Sequence, residues 1–115
     1  MIIKINNEEH ELNFGVRFVR DLDERAGVLM GTNGQQQNFG MALTKVLPGL
    51  KTYDAAVLAD VIYCALHADK KRPSIDEIYD YIDNPDTDIA KLFKETQTEI
   101  KKSNAVKLAA KNLKA

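Results

Sequence analysis

The chain has 115 residues, 44% of them hydrophobic and 29% charged, with a formal net charge of −1 and a pI near 6.1. That describes one domain, long enough to bury a core without staples, and the single cysteine, Cys64, excludes an intrachain disulfide and fits a reducing compartment. No apolar stretch reaches the roughly twenty residues of a membrane span, and Met1-Ile2-Ile3-Lys4 runs into Asn6-Asn7-Glu8-Glu9 without a signal-peptide core, so a soluble cytoplasmic protein is expected.

Ile3 and Ile5 alternate with Ile2 and Lys4, and Leu12 and Phe14 alternate with Glu11 and Asn13. Between them, Asn6-Asn7-Glu8-Glu9 supplies turn chemistry, and asparagine tolerates the positive φ of tight hairpins, so the N-terminus predicts a β-hairpin. From Val16 the period becomes helical. Phe18, Val19, Leu22 and Ala26 oppose Arg17, Asp21, Glu24 and Arg25, and Gly27 is placed to end that helix in the left-handed conformation. Gly27 to Gln37, with Gly31, Thr32, Asn33, Gly34 and three glutamines, reads as a mobile loop. Asn38 then caps a helix whose Phe39, Ala42, Leu43, Val46 and Leu47 share a face, and Pro48-Gly49 stops it.

Thr52 is expected to cap the next helix, which from Ala55 to Leu66 leaves almost no polar face and so belongs in the centre of the fold. Lys70-Lys71-Arg72-Pro73 ends it, opposing its negative pole. Ser74 and Glu77 form an S-x-x-E capping box ahead of Ile75, Ile78, Tyr79 and Ile82. Asp83-Asn84-Pro85 breaks that helix, and Asp86-Thr87-Asp88 opens another with Ile89, Leu92, Phe93, Thr96 and Ile100 inside. After Ser103, the residues Val106, Ala109, Ala110 and Leu113 recur at helical spacing with lysines opposite. The fold class is therefore mainly α (α+β): an N-terminal β-hairpin followed by five or six short packed helices. Residues 1–102 form a single globular domain and 103–115 a basic, weakly amphipathic C-terminal tail.

Catalytic and metal patterns are thin. Cys64 and His67 share a helix face, but a zinc site needs three or four ligands and the only other histidine is His10, in the hairpin. Cys64 also lies in the most apolar helix, where burial keeps a thiol protonated. Asp83, Asp86 and Asp88 fail the calcium-loop pattern in both registers, which lack the required Gly and Glu, and capping accounts for acids at helix starts. Gly31-Thr32-Asn33-Gly34 lacks the Gly-Lys-Ser/Thr end of a phosphate loop. Asp60 is the single charge in a twelve-residue apolar stretch. Either Arg17 or Arg20 pairs with it, or it belongs to a solvent-facing stripe with Tyr53 and His67. These residues predict no enzyme, no metal and no cofactor.

Charge is distributed unevenly. Of sixteen basic residues, Lys101, Lys102, Lys107, Lys111 and Lys114 stand in the last fifteen positions, and all seventeen acidic residues lie upstream, so a +5 segment follows a −6 body. One reading is a solvated, frayed terminus; the other is a binding arm. The segment holds no arginine and no aromatic residue to stack on bases, which argues against nucleic acid. With one apolar and one lysine face it suits an amphipathic partner helix or a neighbouring copy. The candidate contact residues are Lys101, Lys102, Val106, Lys107, Ala110, Lys111, Leu113 and Lys114, with a groove beside Phe18, Leu22, Phe39 and Leu43 as second choice.

The order of these pieces resembles a known family. Phe14-Gly15-Val16-Arg17-Phe18-Val19-Arg20-Asp21-Leu22-Asp23 follows the hairpin. Then come Phe39-Gly40-Met41-Ala42-Leu43 with Leu47-Pro48, and Leu58-Ala59-Asp60-Val61-Ile62-Tyr63. Arg72-Pro73-Ser74-Ile75-Asp76-Glu77-Ile78 with Tyr81-Ile82, and Leu92-Phe93 before Lys102-Ser103, complete the set. Together, from about Ile3 to Leu113, they resemble the tail assembly chaperones of long-tailed bacteriophages of Gram-positive hosts. The resemblance implies a non-enzymatic protein of the host cytoplasm, absent from the mature virion. It implies binding to the tape measure protein, which is kept soluble, and recruitment of tail tube protein through a longer, −1 frameshifted form. Self-association is also expected; nucleic acid and membrane are not. The rival is a small regulatory or nucleic-acid-binding protein using the lysine-rich tail.

Overall fold

The computed structural model describes residues 1–27, 29–32, 35–38 and 41–114, with the backbone alone for 29–32, 35–38 and 113–114. The first hairpin pairs β1 (Ile2–Ile5) with β2 (Glu8–Glu11), in antiparallel register from Ile2 opposite Glu11 to Ile5 opposite Glu8. Its two-residue turn is Asn6-Asn7, at φ 53° and 65°, so Glu8 and Glu9 belong to the strand rather than to the turn. Two positive φ values are what a type I′ hairpin turn requires, and asparagine adopts them at low cost. The alternation turns Ile3, Ile5 and His10 inward, and Leu12 and Phe14 continue the buried side.

Helix α1 (Val16–Ala26) buries Phe18, Leu22 and Ala26. Phe18 meets Phe14 edge-on, with centroids 5.2 Å apart. Gly27 follows the helix at φ −70° and ψ 170°, so it ends the helix in extended backbone, not in the left-handed conformation. The segment expected as a mobile loop holds a second hairpin, β3 (Leu29–Thr32) with β4 (Gln35–Asn38), in antiparallel register from Leu29 opposite Asn38 to Thr32 opposite Gln35. In the sequence the pair between Thr32 and Gln35 is Asn-Gly, the strongest short-range hairpin signal. The glutamine-rich composition obscured it.

Helix α2 (Ala42–Lys51) starts three residues later than Phe39, which lies outside the described residues, and without Asn38 as its cap. Met41 precedes it at φ 62°, and the cap comes from another helix: the Ala42 N–H donates to Asp23 Oδ1 at 2.9 Å. Pro48 stands inside α2 rather than ending it, and the helix runs on to bury Leu50 completely. Gly49 lets the two helices close there: a Cβ would lie 3.0 Å from Val57 Cγ2 in the next helix, so the valine would have to give way by a few tenths of an ångström. Thr52 closes α2, its hydroxyl donating to the Pro48 carbonyl at 3.1 Å. Asp54, not Thr52, caps α3 (Ala55–Ala65), accepting from the Ala56 and Val57 N–H groups at 3.1 and 3.2 Å.

Helix α3 buries Val57, Leu58, Ala59, Val61, Ile62, Cys64 and Ala65. It packs on α1, α2 and α4 (Ile75–Asp83), the central position its all-round apolarity required. The Ser74–Glu77 capping box forms in both directions, each bond 3.1 Å long. Ile78 and Ile82 are buried, and Tyr81 rather than Tyr79 turns towards the core. Asp88 caps α5 (Ile89–Lys102), whose buried stripe is Leu92, Phe93, Thr96 and Ile100; Ile89 stays exposed. Ser103 then turns the chain into α6 (Asn104–Lys114). Its hydroxyl donates to the Phe14 carbonyl at 2.5 Å, and its own carbonyl accepts from Val106 and Lys107. Helix α6 lies against α1, α2 and α5. The architecture is mainly α with a small β part, as the sequence predicted, with the second hairpin added.

Candidate interaction surfaces

The five C-terminal lysines fall on and just before α6. Lys102 is exposed and lies 3.8 Å from Glu99, while Lys107 and Lys111 project to solvent one turn apart. Val106 and Ala110 point the other way and are buried against the body, so they hold α6 in place. The side chains of Leu113 and Lys114 lie outside the described residues. Leu108, absent from the sequence-based set, is 77% exposed and shares a shallow outward face with Asn104, Ala105, Ala109, Lys111 and Asn112. Its signal was present in the sequence: a leucine set among lysines, off the apolar stripe that repeats at three- and four-residue spacing. Of the second-choice groove, Phe18 and Leu22 are completely buried, Leu43 is half-buried at the edge of the core, and Phe39 is outside the described residues.

The other singled-out residues converge beside α1 and α3. Asp60 pairs with Arg25 at 2.7 Å, not with Arg17 or Arg20; Arg17 bonds Asp21 one turn along its own helix. That hydrogen bond with Asp60 holds the Arg25 guanidinium still more firmly protonated than usual. Arg25 also lies 4.7 Å from the Tyr63 ring, and Arg72 lies 4.0 Å from the same ring while donating to the Tyr63 hydroxyl at 2.9 Å. Cys64 and His67 line this cleft together. Burial pushes the Cys64 thiol up to about 12, with Arg25 pulling the other way. A thiol so placed is not an activated nucleophile. The His67 Nε2 is buried with no partner among the described residues. His10 is buried, with its Nδ1 2.5 Å from Asp69 Oδ2, which joins β2 to the α3–α4 connection. Among the described residues no three His, Cys, Asp or Glu side chains are grouped to hold a metal, and no helix is long and apolar enough to cross a membrane.

The described residues form a small, mainly helical body with a filled core and a basic helix laid on its surface. The comparisons with known proteins give this body a family. A family model described as a phage tail assembly chaperone protein, TAC, matches residues 2–114, and the chain belongs to that family. Neither the curated proteins nor the solved structures give a significant match.

Proposed function

We propose that this chaperone binds the tape measure protein in the host cytoplasm, keeps it soluble, and leaves before the virion is complete. Family membership supports the general role. The observation that carries the finer reading is the outward face of α6, where exposed Leu108 and half-buried Ala105 and Ala109 are flanked by Lys107 and Lys111. A tape measure protein is a long chain whose apolar helical faces are an aggregation hazard until the tube covers them. A helix presenting a leucine, small residues and cations fits an amphipathic partner helix with an acidic margin. Many copies on one long partner gain strength through effective concentration, so each contact can be weak.

No catalytic group takes part in this role. Copies of the chain associate through the +5 segment of one and the acidic body of the next, a head-to-tail contact that builds rings or helical coats rather than closed dimers. The tail tube protein is recruited by a longer form made by −1 slippage; Ala110-Lys111-Asn112 permits the codons GCA-AAA-AAC, which contain A-AAA-AAC in phase. Co-expression with tape measure segments tests the binding claim. The wild-type chain should co-purify with segments that carry apolar helical stripes, and Leu108→Asp should lose them while remaining folded. Undiminished capture by Leu108→Asp would remove α6 as the contact.

A further inference from the structure

One side of β1 is left uncovered by the described chain. The Leu12 N–H donates to the Met1 carbonyl at 2.8 Å. Bonded and non-bonded pairs alternate along an antiparallel ladder, so Met1, Ile3 and Ile5 bond to the opposite strand, and the N–H and C=O groups of Ile2 and Lys4 point away from it. Those groups have no hydrogen-bond partner among the described residues. The groove beside them has Ile2 through Asn6 as one wall and α4, the α4–α5 connection and α5 as the other, with nothing from β2. The far wall is acidic: it carries Glu77, Asp80, Asp86, Asp88 and Glu95 against the single cation Lys91, and the β1 wall adds Lys4. Three of those acids are already engaged. Glu77 closes the capping box and accepts from Asn6, Asp88 caps α5, and Glu95 lies 3.7 Å from Lys91. Asp80 and Asp86 have no cationic partner among the described residues.

We propose that this groove takes an extended, lysine- or arginine-bearing segment of a partner protein, added to β1 as a third strand. Ile2 and Lys4 supply the ladder, and main-chain bonds of this kind give affinity without a fixed sequence. Ile3 and Ile5 turn into the core, the side on which α4 and α5 lie, so alternate residues of the incoming strand face Asp80 and Asp86. Cations at those positions complement the wall. Lys4, near the centre of this short edge, disfavours pairing with the same edge of a second copy, since like charges on adjoining strands repel. The site is separate from the α6 face and stands whether or not that face binds the tape measure protein.

The test uses the full chain and a blocked peptide alternating lysine and valine. Titration followed by amide NMR should shift the Ile2 and Lys4 N–H resonances and slow their exchange about tenfold or more. Asp80→Lys with Asp86→Lys should weaken the peptide about tenfold. The same peptide with N-methylated backbone amides keeps its charge but cannot form the ladder, and it should not bind in this way; this arm leaves the protein unaltered. Lys4→Pro, which removes an outward donor at an edge where proline is tolerated, should also abolish the protection. Equal binding of the N-methylated peptide, or shifts at Asp80 and Asp86 with none at Ile2 and Lys4, would overturn strand addition.

Discussion

Cys64 is 2% exposed in α3, and burial raises its thiol to about 12 even with Arg25 nearby. The native chain should therefore resist iodoacetamide at about pH 8 and label fully once unfolded in urea. Rapid labelling of the folded chain would contradict the burial and revive a thiol chemistry for the cleft. Asp69 behaves differently. Its hydrogen bond to His10, and a second from the Lys71 N–H, hold its carboxyl below the usual range. A carboxyl depressed in the folded state adds stability above its unfolded pKa, and that stability is lost as pH falls through the folded value. Asp69→Asn should thus cost about 1–2 kcal/mol at neutral pH and lose its effect in acid, below the native Asp69 pKa. Denaturant melts of both proteins at several pH values measure it; a pH-independent difference would show that the carboxylate charge is not what matters. Asp60 shows what sequence could not resolve at this scale. The need for a partner followed from one charge in an apolar helix, but choosing Arg25 over Arg17 or Arg20 depends on how α1 is rotated against α3.

At the scale of elements, signals confined to a few neighbouring residues were legible. The Asn6-Asn7 turn, the Ser74–Glu77 box and the apolar stripe of α5 each set their own local geometry. The misread boundaries involve tertiary partners. Helix α2 takes its cap from Asp23 on another helix, and it passes through Pro48 because burying Leu50 and closing on Val57 outweigh one missing hydrogen bond. Helix α6 divides between the two kinds. Its lysines and its apolar stripe were legible, but the stripe was assigned to a partner rather than to the body, and so Leu108, set off that stripe, was missed. Val106 is completely buried and Leu108 is 77% exposed, so the two make a contrast. Val106→Ala should destabilise the chain by about 2 kcal/mol, while Leu108→Asp should change stability by less than about 0.5 kcal/mol. Chemical denaturation decides between them. Equal costs would mean that α6 docks in another orientation.

For the whole molecule, the division of charge into a −6 body and a +5 end is the feature with most consequence. If neighbouring copies meet through it, concentrated protein should sediment as oligomers at low salt and return towards monomer as salt rises, because exposed charges are screened over about 8 Å at physiological ionic strength. A strict monomer at high concentration and low salt would remove the charge-driven contact. The family was legible from the order of the motifs along the chain, since the order survives when single boundaries shift by a few residues. The proposed docking face was less legible because it depends on how one helix is rolled on a finished body. The most direct measurement is the light scattering of an apolar tape measure segment diluted from denaturant. With the wild-type chain in excess, scattering should stay low; with Leu108→Asp in the same excess, it should rise to the level of the segment alone. Scattering unaffected by the wild-type chain would contradict the chaperone role proposed here, and equal suppression by both proteins would contradict its placement on α6.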